Sequence, residues 1–111
     1  MAIHHASSGE LIDVRPLKEG LKDAASKALY KTDHLEVFRM VLLAGKTMPA
    51  HHVAGEVTVQ CLEGSVEFTV AGRGRLMREG DLICLAGGED HALKAVENSS
   101  CLVTILLHPA K

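Results

Sequence analysis

Two histidines, His51 and His91, are the residues of this chain best placed to do chemistry. Each closes a glycine-punctuated block. The first is Gly45-Lys-Thr-Met-Pro-Ala-His51-His52-Val53-Ala-Gly55-Glu56-Val57-Thr-Val59-Gln60-Cys61-Leu-Glu63-Gly64. The second is Gly80-Asp-Leu-Ile-Cys-Leu-Ala86-Gly87-Gly88-Glu-Asp-His91. Two convergent imidazoles can orient a small ligand by hydrogen bonding, or hold a first-row metal if a third donor joins them. His52 and Gln60 are the candidates for that third position, provided a bulge shifts the strand phase. On simple alternation both face outward, and Glu56 reads as a surface carboxylate. No nucleophile elbow is present, and the Ser7-Ser8 and Ser99-Ser100 pairs sit in polar loops. Gly72-Arg73-Gly74 and Gly87-Gly88 read as turns, since no helix follows either to offer its N-terminus to phosphate.

Short strands must position these residues. Ten glycines separate short runs rich in β-branched and aliphatic residues. The runs expected as strands are Leu11–Leu17, Ser26–Lys31, Leu35–Leu43, Glu56–Leu62, Val66–Ala71, Gly74–Met77, Leu82–Leu85, Ala92–Val96 and Cys101–Leu107. Lys31-Thr32-Asp33-His34, Glu63-Gly64, Gly72-Arg73-Gly74 and Arg78-Glu79-Gly80-Asp81 are the turns between them. Pro16–Ala28 alone has helical character, enough for one short turn weakened by Gly20. The pattern predicts one all-β domain of antiparallel jelly-roll or barrel type. Residues 1–34 supply the N-terminal strands and helical turn that complete the barrel, and residues 35–111 supply its core.

The two blocks resemble those of the cupin family, over most of the chain from about Leu35 onward. Cupins carry glycine, five residues, His-any-His, three or four residues, Glu, six residues, Gly. Their second block is glycine, five residues, Pro-any-Gly, two residues, His, three residues, Asn. Gly45, His51, Gly64, Gly80, Gly88 and His91 fall on this framework. Val53 stands at the second histidine position, Val57 at the glutamate, Ala86 at the proline and Ala95 at the asparagine. The resemblance implies a double-stranded β-helix, the RmlC-like cupin barrel, with a depleted metal-ligand set and a homodimer formed by strand exchange or sheet packing.

Within that barrel His51, Val53, Val57, Val59 and Cys61 share the inward parity, and Thr58 and Gln60 face out. His51, Val53, Val57, Val59 and His91 are the expected pocket residues. His51, His91, His52 and Gln60 are the expected donors to one weakly held divalent metal (Fe, Mn, Ni or Zn). Three functions follow. The first is binding of a small molecule near His51 and His91; the second is metal-dependent dioxygenase or isomerase catalysis. The third is a non-catalytic dimeric module that meets its partner through Thr58, Gln60 and Leu102–Leu107.

Composition narrows the partners. With 111 residues and 47% hydrophobic content the chain can bury a core, but it has one Tyr, two Phe and no Trp. That leaves no aromatic platform for single-stranded nucleic acid, and a net charge of −2 leaves no basic face for phosphates. No apolar run is long enough to span a bilayer as a helix. The N-terminal residues have no secretory pattern, so a cytoplasmic setting is expected, with Cys61, Cys84 and Cys101 as buried thiols. Met40, Met48 and Met77 are expected as core or pocket fillers. His4, His5, His34 and His108 read as surface or terminal residues.

Overall fold

A computed structural model describes residues 5–107. His4 and His108 lie outside them. Nine strands occur among the described residues: β1 (Lys27–Lys31), β2 (Leu35–Leu42), β3 (Thr47–His51), β4 (Val57–Glu63), β5 (Ser65–Val70), β6 (Arg73–Arg78), β7 (Leu82–Leu85), β8 (His91–Ala95) and β9 (Ser99–Leu106). They build a five-stranded sheet in the order β1-β2-β9-β4-β7 and a four-stranded sheet in the order β3-β8-β5-β6. Every pairing is antiparallel. The chain moves repeatedly between the two sheets, which is the jelly-roll arrangement expected from the turn spacing.

The core lies between the sheets because each strand sends alternate residues inward. On β4, Val57, Val59 and Cys61 are buried, while Thr58 and Gln60 between them are half-buried on the opposite face. Val66 and Phe68 from β5 meet them from the other sheet, with Met40, Leu93 and Val103 filling the remaining space.

Three expectations are corrected. Leu11–Leu17 forms no strand, and Leu11 is 97% exposed. Pro16 has no N–H to give a ladder, and the Arg15 N–H donates to the Asp13 carboxylate at 2.9 Å instead. A strand that was not anticipated, Thr47–His51, takes its place in the count. It contains Pro49, which a central strand would reject, but β3 is an edge strand paired only with β8 and irregular between Met48 and His51. Finally, Cys61 and Cys101 are buried as expected, whereas Cys84 is exposed. It lies opposite Thr58, whose side chain is on the outer face of the sheet.

The helical turn foreseen within Pro16–Ala28 is a 3-10 helix, Lys18–Asp23, anchored by buried Leu21. A buried carboxylate ties this segment to the barrel. Glu63 accepts the Leu17 N–H at 2.9 Å, the Lys18 N–H at 3.0 Å and the Ser100 hydroxyl at 2.7 Å. Burial pushes the Glu63 carboxyl up, but these hydrogen bonds and the Arg39 charge outweigh it and hold it below the usual carboxylate range. A depressed folded value contributes stability above the unfolded value of about 4.3, and that contribution fades as pH falls through the folded value. Glu63→Gln should therefore cost about 1–3 kcal/mol at neutral pH. In denaturant unfolding the gap from wild type should shrink once the native carboxylate protonates; an equal gap at pH 7 and pH 3 contradicts this account.

Candidate functional site

His51 and His91 are direct partners across the β3–β8 ladder. Their rings lie 4.4 Å apart between centroids and are inclined at 57°. His51 is exposed at the rim, and His91 is buried at 6% exposure. The Nδ1 of His51 lies 3.1 Å from the Pro49 carbonyl, and the Nδ1 of His91 lies 3.1 Å from the Glu89 carbonyl. A carbonyl oxygen only accepts, so both Nδ1 atoms carry the proton and donate it. In the neutral imidazole this leaves each Nε2 as an acceptor, with no hydrogen-bond partner among the described residues. Below His91 the Phe68 ring stacks at 5.6 Å with an interplanar angle of 9°. Phe68 escaped the sequence reading because its contact depends on the β5–β8 register, which no local motif encodes.

The pair opens onto a cavity of about 70 Å³ between the sheets. Val53, Val57 and Val59 line it together with His51 and His91, so the structure brings all five expected pocket residues to one space. Phe38, Met40, Met48, Leu93, Val103 and Ile105 complete its walls. Met40 and Met48 thus fill the role foreseen for them, and Met77 is buried in the core.

The mouth is shaped by two touching loops. The Gly88 N–H donates to the Val53 carbonyl at 2.8 Å. A Cβ at Gly87 would collide with the Ala54 carbonyl oxygen, so the Gly87-Gly88 turn can approach the Val53–Ala54 backbone only without side chains. This contact brings the block ending in His91 against the block containing His51.

The structure does not bring His52 or Gln60 to the cavity. The His52 Nδ1 lies 2.8 Å from the Asp90 carboxylate in an exposed pair. Gln60 stands on the face of β4 opposite buried Val59 and Cys61. No group of three or more His, Cys, Asp or Glu side chains able to hold a metal occurs among the described residues. Two imidazoles fall short of the three or more protein ligands that transition-metal sites use, and apolar Val53 and Val57 stand where the resemblance places two further donors. The donor set therefore does not fit a resident transition metal.

No protein-family model matches the sequence, and no curated protein matches it. Solved structures do. A conserved protein of unknown function from Streptococcus pyogenes aligns at a TM-score of 0.75 and 24% identity, covering 99% of this chain and 98% of that one. A cupin superfamily protein from Desulfitobacterium hafniense aligns at 0.77 and 18% identity, covering 93% and 100%. An RmlC-like cupin from Desulfovibrio desulfuricans aligns at 0.69 and 24% identity, covering 94% and 98%. With two antiparallel sheets, the glycine framework and these likenesses in agreement, the chain has the RmlC-like cupin fold.

Proposed function

We propose that this protein binds a small organic molecule at the mouth between His51 and His91. The ligand presents an O–H group, from an alcohol, a hydroxy acid or an undissociated acid, to the two Nε2 acceptors. Its short apolar part enters the cavity walled by Val53, Val57 and Val59. The observation that carries this reading is the pairing of two Nδ1-anchored imidazoles with an otherwise apolar cavity, the usual composition of a small-molecule site. Size restricts the ligand. Apolar cavities of about 150 Å³ accommodate benzene, so a cavity of about 70 Å³ takes only a small alkyl group and the rest must extend past exposed His51.

A metal-dependent dioxygenase or isomerase has one observation in its favour. Imidazoles that bind metals through Nε2 commonly donate Nδ1–H to a carbonyl, as both of these do. It lacks a third protein donor, and ligand binding is the reading the cavity favours. Near-stoichiometric transition metal in protein prepared without metal-affinity resin would reverse that order.

A thermal-shift panel of short alcohols, hydroxy acids and small organic acids tests the proposal. A ligand at 100 times its Kd should add about 2.7 kcal/mol of stability, roughly 10 °C in the midpoint. His51→Ala, at an exposed position, should keep the fold and weaken the hit at least tenfold. Val59→Phe, which fills the cavity, should abolish it. A hit that neither substitution affects, or an empty panel, contradicts the proposal.

A further inference from the structure

Cys61 on β4 and Cys101 on β9 are Cα partners in the five-stranded sheet, at 0% and 1% exposure. The hydrogen-bond phase of β4 fixes how close they are. The Cys61 N–H donates to the Asp81 carbonyl at 2.9 Å, and its carbonyl accepts the Gly80 N–H at 2.8 Å. A residue in an antiparallel strand sends both groups toward one neighbour, so Cys61 uses them on its β7 side. Toward β9 it occupies a non-hydrogen-bonded position, where facing Cα atoms are about 4.5 Å apart and side chains are at their closest. That spacing falls within the range of about 4.4–6.8 Å that a disulfide bridges.

The side chains also agree. Cys61 follows the inward phase of Val57 and Val59, and Cys101 that of Val103. The two thiols already interact: a hydrogen bond from the Cys101 S–H lowers the Cys61 thiol, and the same bond together with burial raises that of Cys101. The Cys61 S–H is directed to the Glu63 carbonyl at 3.5 Å and the Gly64 carbonyl at 3.6 Å. Cys84 is exposed and paired with Thr58, out of register with both.

We propose that Cys61 and Cys101 are a thiol–disulfide exchange site for a low-molecular-weight disulfide, closing to a cross-strand disulfide inside the sheet. Transient opening of the sheet exposes one of the two as its thiolate, which attacks the small disulfide and expels one thiolate equivalent. The second cysteine then attacks the protein sulfur of that mixed disulfide and expels the other. The two protein thiols lose two electrons and two protons, and the small disulfide becomes two thiols. The bond lies two residues from Val59 and Val103, which are themselves partners and walls of the histidine cavity. Oxidation therefore fixes the register of that wall. The inference rests on strand register alone and is independent of ligand binding at the histidines.

The test uses Cys84→Ser, which removes the exposed thiol, incubated with oxidised glutathione close to the unfolding midpoint and then returned to native conditions. The product should weigh two hydrogens less, contain a Cys61–Cys101 peptide cross-link and retain no thiol that can be alkylated after denaturation. Its thermal midpoint should rise by roughly 10 °C and fall back on reduction. Cys101→Ala should yield only a glutathione adduct, with no such rise. Wild-type chain with Cys84 alkylated beforehand provides the same readout if the serine variant folds poorly. Two thiols still free, a separate glutathione adduct on each cysteine, or a lowered midpoint on cross-linking overturns the proposal.

Discussion

Phe68→Ala should lower the thermal midpoint by some 15–25 °C, corresponding to about 3–5 kcal/mol for a fully buried phenylalanine. Phe68 has no exposed surface and stands at the centre of the core shared by the two sheets. Removing its ring leaves a void that neighbours on rigid strands refill only in part. Natural domains are stable by about 5–15 kcal/mol, so the loss is a large share of the total. The same ring supports the site, because it stacks on His91. Phe68→Leu separates the two roles. It keeps most of the buried volume and should lose far less stability, yet it removes the aromatic face against which the imidazole rests. Circular dichroism melts of both variants check the prediction; an alanine variant within a few degrees of wild type would show that Phe68 is not the central packing residue described.

Gly64→Ala should be comparably damaging, for a different reason. Gly64 joins β4 to β5 with a φ of +84°, a conformation that costs a residue with a side chain about 1–2 kcal/mol. A Cβ there would also collide with the Asn98 carbonyl oxygen and the Ser99 hydroxyl, and would lie 2.8 Å from the Ser99 Cα. Backbone cannot rotate away as a side-chain tip can. The affected residues are themselves committed, since the Ser99 hydroxyl accepts the Ser65 N–H at 3.0 Å and donates to backbone carbonyls nearby. A total loss of about 3 kcal/mol or more is expected from the combined strain and displacement. Gly45→Ala is the control. Its φ is +84° as well, but no atom lies within 4 Å of the added Cβ, so only the conformational cost applies. Denaturant unfolding of the pair should show the Gly64 variant losing clearly more; equal losses would refute the steric part of the explanation.

These two positions also show which parts of the molecule could be read from sequence. Gly64 was legible because a tight turn between two β-rich runs demands a residue free to adopt positive φ. The alternation on Val57–Glu63 was legible because one face of that strand is buried, and a period of two leaves only two choices of register. From that alternation the inward set at Val57 and Val59 followed, with His51 and His91 located by the glycine framework. Leu11–Leu17 shows where local pattern fails: its alternation resembles a strand, but a strand needs a partner ladder, and Glu63 engages the Leu17 and Lys18 N–H groups instead. Thr47–His51 was hidden by Pro49, whose tolerance depends on β3 lying at a sheet edge. The pairing of His52 with Asp90, the stack of Phe68 on His91 and the small volume of the cavity are products of tertiary register, without a local signal.

The central claim is that His51 and His91 together receive the ligand through their Nε2 atoms. Long-range nitrogen–proton NMR of histidine-labelled protein, titrated with the best compound from the thermal-shift panel, tests it most directly. Before addition both rings should show the Nδ1-protonated tautomer set by the Pro49 and Glu89 carbonyls. During the titration the Nε2 resonances of both should move along one shared saturation curve, while exposed His34 stays fixed. Binding that stabilises the fold without moving either Nε2, or that moves His51 and leaves His91 unchanged, would contradict the account.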